Sequence, residues 1–175
     1  PPGITVGSEP NVNLTVYNFP VPDVPEYGIV TTVNADFNGV QGEYTLGYGI
    51  DQESAIFISQ ETNGQPKYPA EIDYHRIGPM VRARCTHQGY TFLEFEGVSE
   101  GSAGPQPEWE QNEWWIKVSR AVSIGGPATG YDFPPHVVHV KSKYGTAWQE
   151  SVQGKLTLRD SPWDPLSTKL PMREQ

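Results

Sequence analysis

The side chains of this 175-residue chain that could do chemistry at short spacing are a pair of carboxylates, four imidazoles and one thiol. Glu94 and Glu96 lie two apart, so a strand would put both on one face, at a separation that suits the acid and nucleophile of a retaining glycosidase. The same Glu-x-Glu pattern is what a solvated strand face carries, with Thr91, Leu93 and Phe95 supplying the buried face. His75, His87, His136 and His139 invite a metal, because imidazole is the commonest transition-metal ligand. His136 and His139 are three apart, however, and a strand points such residues to opposite faces. With no second cysteine and no carboxylate at ligand spacing, no metal site is expected. Cys85 has His87 two residues on and Arg82 and Arg84 beside it, which could lower its thiol pKa. A lone cysteine among strand residues is more simply a small buried hydrophobe. There is no Gly-x-Ser-x-Gly, phosphate-cradling loop or dinucleotide fingerprint. The expectation is a protein that is not an enzyme, with no catalytic residue and no cofactor; a β-sandwich glycosidase using Glu94 and Glu96 is the alternative from another class.

Recognition then falls to aromatic side chains among polar ones. Three of the five tryptophans lie in Trp109-Glu110-Gln111-Asn112-Glu113-Trp114-Trp115. Adjacent Trp114 and Trp115 on a strand face opposite ways, so one belongs to the core and the other to solvent or an interface. Trp109, read as a loop residue with Glu108, Glu110 and Asn112, could stack on a ligand while its neighbours supply directional hydrogen bonds; capping the core is its equal alternative. Tyr131 and Asp132 in one further loop, and Trp148 in another over Tyr144 to Glu150, complete the candidate ligand-binding set, since loops on a rigid β-scaffold commonly carry binding.

Strands must position these groups. Val12, Leu14 and Val16 alternate as a half-buried strand requires, and Pro20, Pro22 and Pro25 then break the ladder. Gly28 to Phe37 and Val40 to Ile50 flank Asn38-Gly39, a dipeptide suited to a tight hairpin, with Tyr44, Leu46 and Tyr48 expected on one face and the nearby glycines leaving room for a bulge. Ser54 to Gln60 reads as a short apolar strand. Met80 to Thr86 and Tyr90 to Glu96 form a second hairpin, Trp114 to Val122 pairs with His136 to Lys143 across Gly125-Gly126-Pro127, and Gly154 to Arg159 is the last strand. At most one short helix is expected, around Ala70 to Arg76. The pattern predicts an all-β fold, an antiparallel β-barrel or sandwich with Pro/Gly-rich loops, as a single domain over 1–175, with a Pro-punctuated tail over 161–175 packed on the outside.

Composition narrows the function classes. Glycine and proline together make a fifth of the chain, short of low complexity. No run approaches the ~20 apolar residues of a membrane span, and the Pro1-Pro2-Gly3 start lacks the features of a signal peptide, so a fragment of a longer polypeptide is expected. A net charge of −9 and a pI near 4.8 argue against nucleic-acid partners. With one cysteine, no intrachain disulfide forms.

An acidic, disulfide-free β-domain that opens with Pro1-Pro2-Gly3 and closes with a Pro-broken tail containing Lys169 and Arg173 resembles the projecting spike of a non-enveloped virus capsid, astrovirus-like. That resemblance implies an attachment module on the virion surface that forms a homodimer, binds a host-cell receptor and neutralising antibodies, and inserts in no membrane. Trp114 or Trp115 would then be an interface residue. A carbohydrate-binding fimbrial tip adhesin, extracellular, is the alternative within binding.

Overall fold

The computed structural model describes residues 3–9, 11–20, 24–122 and 130–170. Among them the chain forms β1 (Ile4–Val6), β2 (Val12–Phe19), β3 (Glu26–Phe37), β4 (Val40–Ile50), α1 (Glu53–Asn63), β5 (Lys67–Pro69), β6 (Glu71–Ile77), β7 (Met80–His87), β8 (Tyr90–Gln106), β9 (Trp109–Lys117), β10 (His136–Tyr144), β11 (Ala147–Leu158) and α2 (Leu166–Lys169). Two sheets result. The seven-stranded one runs β1-β3-β4-β9-β10, with β2 also on β3 and β5 also on β4; the four-stranded one runs β11-β8-β7-β6. The all-β sandwich expectation holds, and the described residues form no closed barrel.

The hairpins follow from local backbone chemistry. Asn38 and Gly39 adopt φ of 55° and 78°, the paired positive values that join β3 to β4 in two residues, and Gln88 and Gly89 do the same between β7 and β8. The core forms where the apolar face of β2 and β3 meets the four-stranded sheet: Ile29, Cys85, Phe92 and Leu93 are fully buried, with Leu14, Val16, Ile72 and Leu156 packed against them.

Several expectations are corrected. Ser54 to Gln60 is not a strand but the middle of α1. Its apolar run is short enough to fit either element, and the flanking Glu53, Gln60 and Glu61 are good helix formers. The helix stops at Gly64, whose φ is 68° and whose N–H donates to the Gln60 carbonyl at 3.0 Å. A Cβ there would also come within 2.5 Å of the Lys117 backbone, so no other residue fits the close approach to β9. Ala70 to Arg76 is not helical; Ile72 and Tyr74 alternate with polar residues along β6, which pairs with β7. β9 begins at Trp109, so that residue is in a strand, not a loop, and the stretch from Tyr144 to Glu150 is the end of β10 and start of β11 joined at Gly145-Thr146. β10 pairs antiparallel with β9 as expected, while the connection through Gly125-Gly126-Pro127 lies outside the described residues. The tail is not merely external either. Ser161 and Asp164 are buried and Leu166 packs on the core.

Candidate functional site

The seven-stranded sheet has a second face, and it is polar. Residues directly opposite one another in a ladder share a face. The register sets Asn13 against Thr32, Thr15 against Val30 and Tyr17 against Gly28, then Asn34 against Glu43, Thr32 against Thr45 and Val30 against Tyr48. β9 adds Glu113 beside Glu43, and β5 adds Lys67 beside Tyr48. Tyr48 reaches this face only because Leu46 has no partner: the ladder steps from Thr32–Thr45 to Thr31–Gly47, a bulge that reverses the alternation. Tyr44, Leu46 and Tyr48 therefore do not share one face, and that expectation is corrected. The polar face borders a cavity of about 870 Å³ whose lining includes Asn13, Thr32, Glu43, Tyr48, Glu113 and Tyr144.

Lys67 is the first residue of β5. The strand is held to β4 by a bond from Tyr48 N–H to the Pro66 carbonyl at 3.0 Å and one from Ala70 N–H to the Ile50 carbonyl at 2.9 Å. The Lys67 Nζ lies 5.4 Å from the centroid of the Tyr48 ring. Burial pulls this amine below the ordinary lysine value, while Glu26 pulls it back up. An aromatic face also favours the ammonium form modestly.

Tyr48 and Glu26 stand near the amine, and further phenols and carboxylates share its face of the sheet. The Tyr17 hydroxyl donates to Glu26 Oε1 at 2.6 Å, and its ring meets that of Tyr48 edge-on at 5.8 Å. A Cβ at Gly28 would fall 2.3 Å from the Tyr17 hydroxyl, so glycine there makes the space for the ring. Burial, reinforced by Glu26, drives the Tyr17 phenol far above its usual value; burial also raises Tyr48. Glu113 accepts from Trp115 Nε1 at 2.6 Å and from Thr45 Oγ1, and Glu43 accepts from Thr32 Oγ1. The arrangement offers an amine shifted toward its neutral, nucleophilic form, with protonated phenols and hydrogen-bonded carboxylates that can carry protons. That combination suits attack on a carbonyl carbon.

The residues singled out from sequence form no single cluster, and of them Trp109 and Trp115 are on the face that carries this site. Trp109 is on the polar face and stacks on Tyr144 at 4.6 Å and 10°, and Tyr144 lines the cavity. Glu108 is exposed just before β9. Glu110 and Asn112 alternate to the opposite face, where Lys141 and Lys143 bind Glu110, and Asn112 and His139 Nε2 are hydrogen-bonded. Trp114, on that opposite face too, is the buried indole, packed on Phe37 and His139; Trp115 is half-buried on the cavity side. Tyr131 and Asp132 lie past the other end of β9, where the Ser119 hydroxyl donates to Asp132 at 2.7 Å, roughly 30 Å along the strand from Trp109. Trp148 is exposed on β11. Glu94 and Glu96 are bound by Arg159 and Arg82 as surface ion pairs. Burial pushes the Cys85 thiol up to about 12, which leaves it protonated and inert as a nucleophile.

Lys67 was not among the sequence candidates. The signal available was its setting between two prolines in Pro66-Lys67-Tyr68-Pro69, three residues after the glycine that stops the helix.

Comparison with known proteins now gives these observations a context. The family description "Acetoacetate decarboxylase (ADC)" matches residues 1–175. Among solved structures, an acetoacetate decarboxylase from Legionella pneumophila superposes with a TM-score of 0.69 at 16% identity, over 99% of this chain and 69% of that one. The enduracididine biosynthesis enzyme MppR, complexed with the condensation product of pyruvate and imidazole 4-carboxaldehyde, does so at 0.63 and 17%, over 93% and 68%. An acetoacetate decarboxylase-like enzyme from Sphingomonas wittichii RW1 does so at 0.56 and 14%, over 82% and 59%. No curated protein sequence matched. The matches overturn the resemblance to a virus spike and what it implied: a non-enzymatic module, a host receptor and antibodies as partners, and a place on the virion surface or a fimbrial tip. The adhesin and glycosidase alternatives fall with it. The spike resemblance rested on overall character, with no motif to anchor it, and an acidic β-sandwich is equally the frame of an enzyme.

Proposed function

The chain belongs to the acetoacetate decarboxylase family, and from that membership we propose that it is an enzyme whose Lys67 forms an imine with the carbonyl of a small oxo acid. Lysines made nucleophilic by desolvation or a neighbouring cation are the means by which amine enzymes form such adducts, acetoacetate decarboxylase itself being a known example. The observation that carries the reading is the placement of Lys67: a half-buried amine, drawn down by that burial, over the ring of Tyr48, which itself lines a polar cavity.

The amine attacks the carbonyl carbon, and the carbonyl oxygen leaves as water after proton transfers that Tyr17, Tyr48 and Glu26 are placed to support. The protonated imine then accepts the electron pair of a bond broken at the neighbouring carbon. With a 3-oxo acid that bond is the one to the carboxylate, which leaves as carbon dioxide. Proton removal from the same carbon gives an enamine that can add to a second carbonyl, the type of product bound to MppR. Decarboxylation is the primary reading because the family description matches the whole chain.

Incubation with acetoacetate and sodium borohydride tests it. Reduction should fix one adduct per chain, located by peptide mass spectrometry on Lys67, and Lys67→Ala should lose both the adduct and turnover. An adduct on another lysine, or undiminished turnover by the alanine variant, overturns the assignment.

A further inference from the structure

The residue after the lysine faces the other way, and what it meets there is a built cluster. Tyr68 pairs with Gly49, so its ring lies on the face of β5 opposite Lys67. Glycines form the floor beneath it: a Cβ at Gly49 or Gly47 would stand 3.0 or 3.3 Å from the ring. The imidazole of His87, the last residue of β7, lies against the ring with centroids 4.6 Å apart. His87 Nδ1 is 2.9 Å from Asp164 Oδ2, with the two side chains only 11% and 8% exposed. Asp164 also lies beside the Tyr68 hydroxyl, which burial and then that carboxylate push far above its usual value. Asp164 is itself fixed by Ser161, whose Oγ accepts the N–H groups of Trp163 and Asp164 at 3.2 Å each. Three segments distant in sequence thus converge on the side chain next to Lys67.

We propose that Tyr68, His87 and Asp164 are positioning residues that clamp β5 from behind, fixing where the Lys67 amine stands and keeping water from it. This rests on the reading of Lys67 as the imine-forming amine. β5 is three residues long and its ladder is confined to β4. So short a strand would open locally at little cost if nothing else held it. Gln60 of α1 donates its amide to the Lys67 carbonyl, and the clamp adds a second hold at the adjacent residue, through a glycine-floored ring slot and a buried pair in which removing either partner leaves the other uncompensated. Since burial is what draws the Lys67 amine down, a strand that loosens rehydrates the amine and lets it rise toward the ordinary lysine value.

The test is the rate of borohydride trapping with acetoacetate against pH, measured on the wild type, Tyr68→Phe, Asp164→Asn and, as a control in the core, Ile72→Val. Tyr68→Phe keeps the ring on its glycine floor and removes only the hydroxyl, so it remains informative if Asp164→Asn fails to fold. The expected result is trapping about tenfold slower at neutral pH in both clamp variants, with the midpoint of the pH profile moved upward, while Ile72→Val lowers Tm and leaves the midpoint in place. A folded Tyr68→Phe with the wild-type midpoint overturns the clamp, whatever its Tm, when the wild type itself traps on Lys67. A wild type that traps nothing there removes the Lys67 reading first, and the clamp with it.

Discussion

The two faces of the seven-stranded sheet solve opposite problems with the same strands. One is apolar and sealed: Ile29 of β3 meets Cys85, Phe92 and Leu93 of the other sheet, and all four are essentially without solvent contact. The other carries Asn13, Thr32, Glu43, Glu113 and Tyr48 around an open volume, with Tyr17 against Tyr48. Alternation gives both faces to every strand, and the bulge at Leu46 decides which of them Tyr48 and, beside it, Lys67 join. The difference teaches that the sealed face supplies stability while the open one accepts polar groups that a core would reject. Substitutions should separate the two roles.

The largest effect is expected from the sealed face. Leu93→Ala removes a fully buried side chain and should cost about 2–5 kcal/mol, which for a chain of this size lowers Tm by roughly 5–20 °C. Measured below the new transition, the pH midpoint of Lys67 trapping should stay where it was, because no atom of the amine's surroundings is removed. A midpoint that moved with Leu93 would join the two faces into one unit and undo the comparison.

The comparison also explains what could be read from the residues in order. Asn38-Gly39 and the alternation of Val12, Leu14 and Val16 are local signals, and they specify the hairpin and strands that form. The polar alternates of those same strands look identical to solvated positions, because Asn13, Thr15 and Thr32 have no feature in sequence that separates a cavity wall from open water. The bulge at Leu46 is decided by pairing with Thr31 and Thr32, so glycines nearby could suggest it without locating it. Lys67 is the extreme case. Its chemistry comes from burial together with Tyr48 and Glu26, groups 19 and 41 residues away that only the folded sheet brings near. Helix α1 is hidden for a different reason: four apolar residues fit a strand or a helix, and a glycine such as Gly64 can close either.

An intermediate effect is expected on the open face, where charge rather than packing is altered. Glu26 raises the Lys67 amine against the lowering by burial. Glu26→Gln removes that opposition, so the amine should fall further and the midpoint of trapping should move to lower pH, with a larger neutral fraction at pH 7. The sign is opposite to that expected of the clamp variants, which lets one profile distinguish loss of a charge from entry of water. An upward shift in Glu26→Gln would mean that the carboxylate matters as a seal.

The smallest effects come from a pair of neighbours that alternation divides. Trp109 is on the cavity side, stacked on Tyr144, and Glu110 is on the other, bound by Lys141 and Lys143, whose hydrogen bonds hold its carboxyl below the usual range. As a proposal, Trp109 contributes to substrate contact through the Tyr144 wall. Trp109→Ala should then raise KM for acetoacetate by about threefold with kcat little changed, the mark of binding shared by ground and transition states. Glu110→Gln should change neither, since exposed ion pairs contribute little and are screened by salt. One residue of spacing separates the two, so equal responses would show that the strand's alternation does not divide cavity from surface at this end of β9, and that the cavity closes short of Trp109.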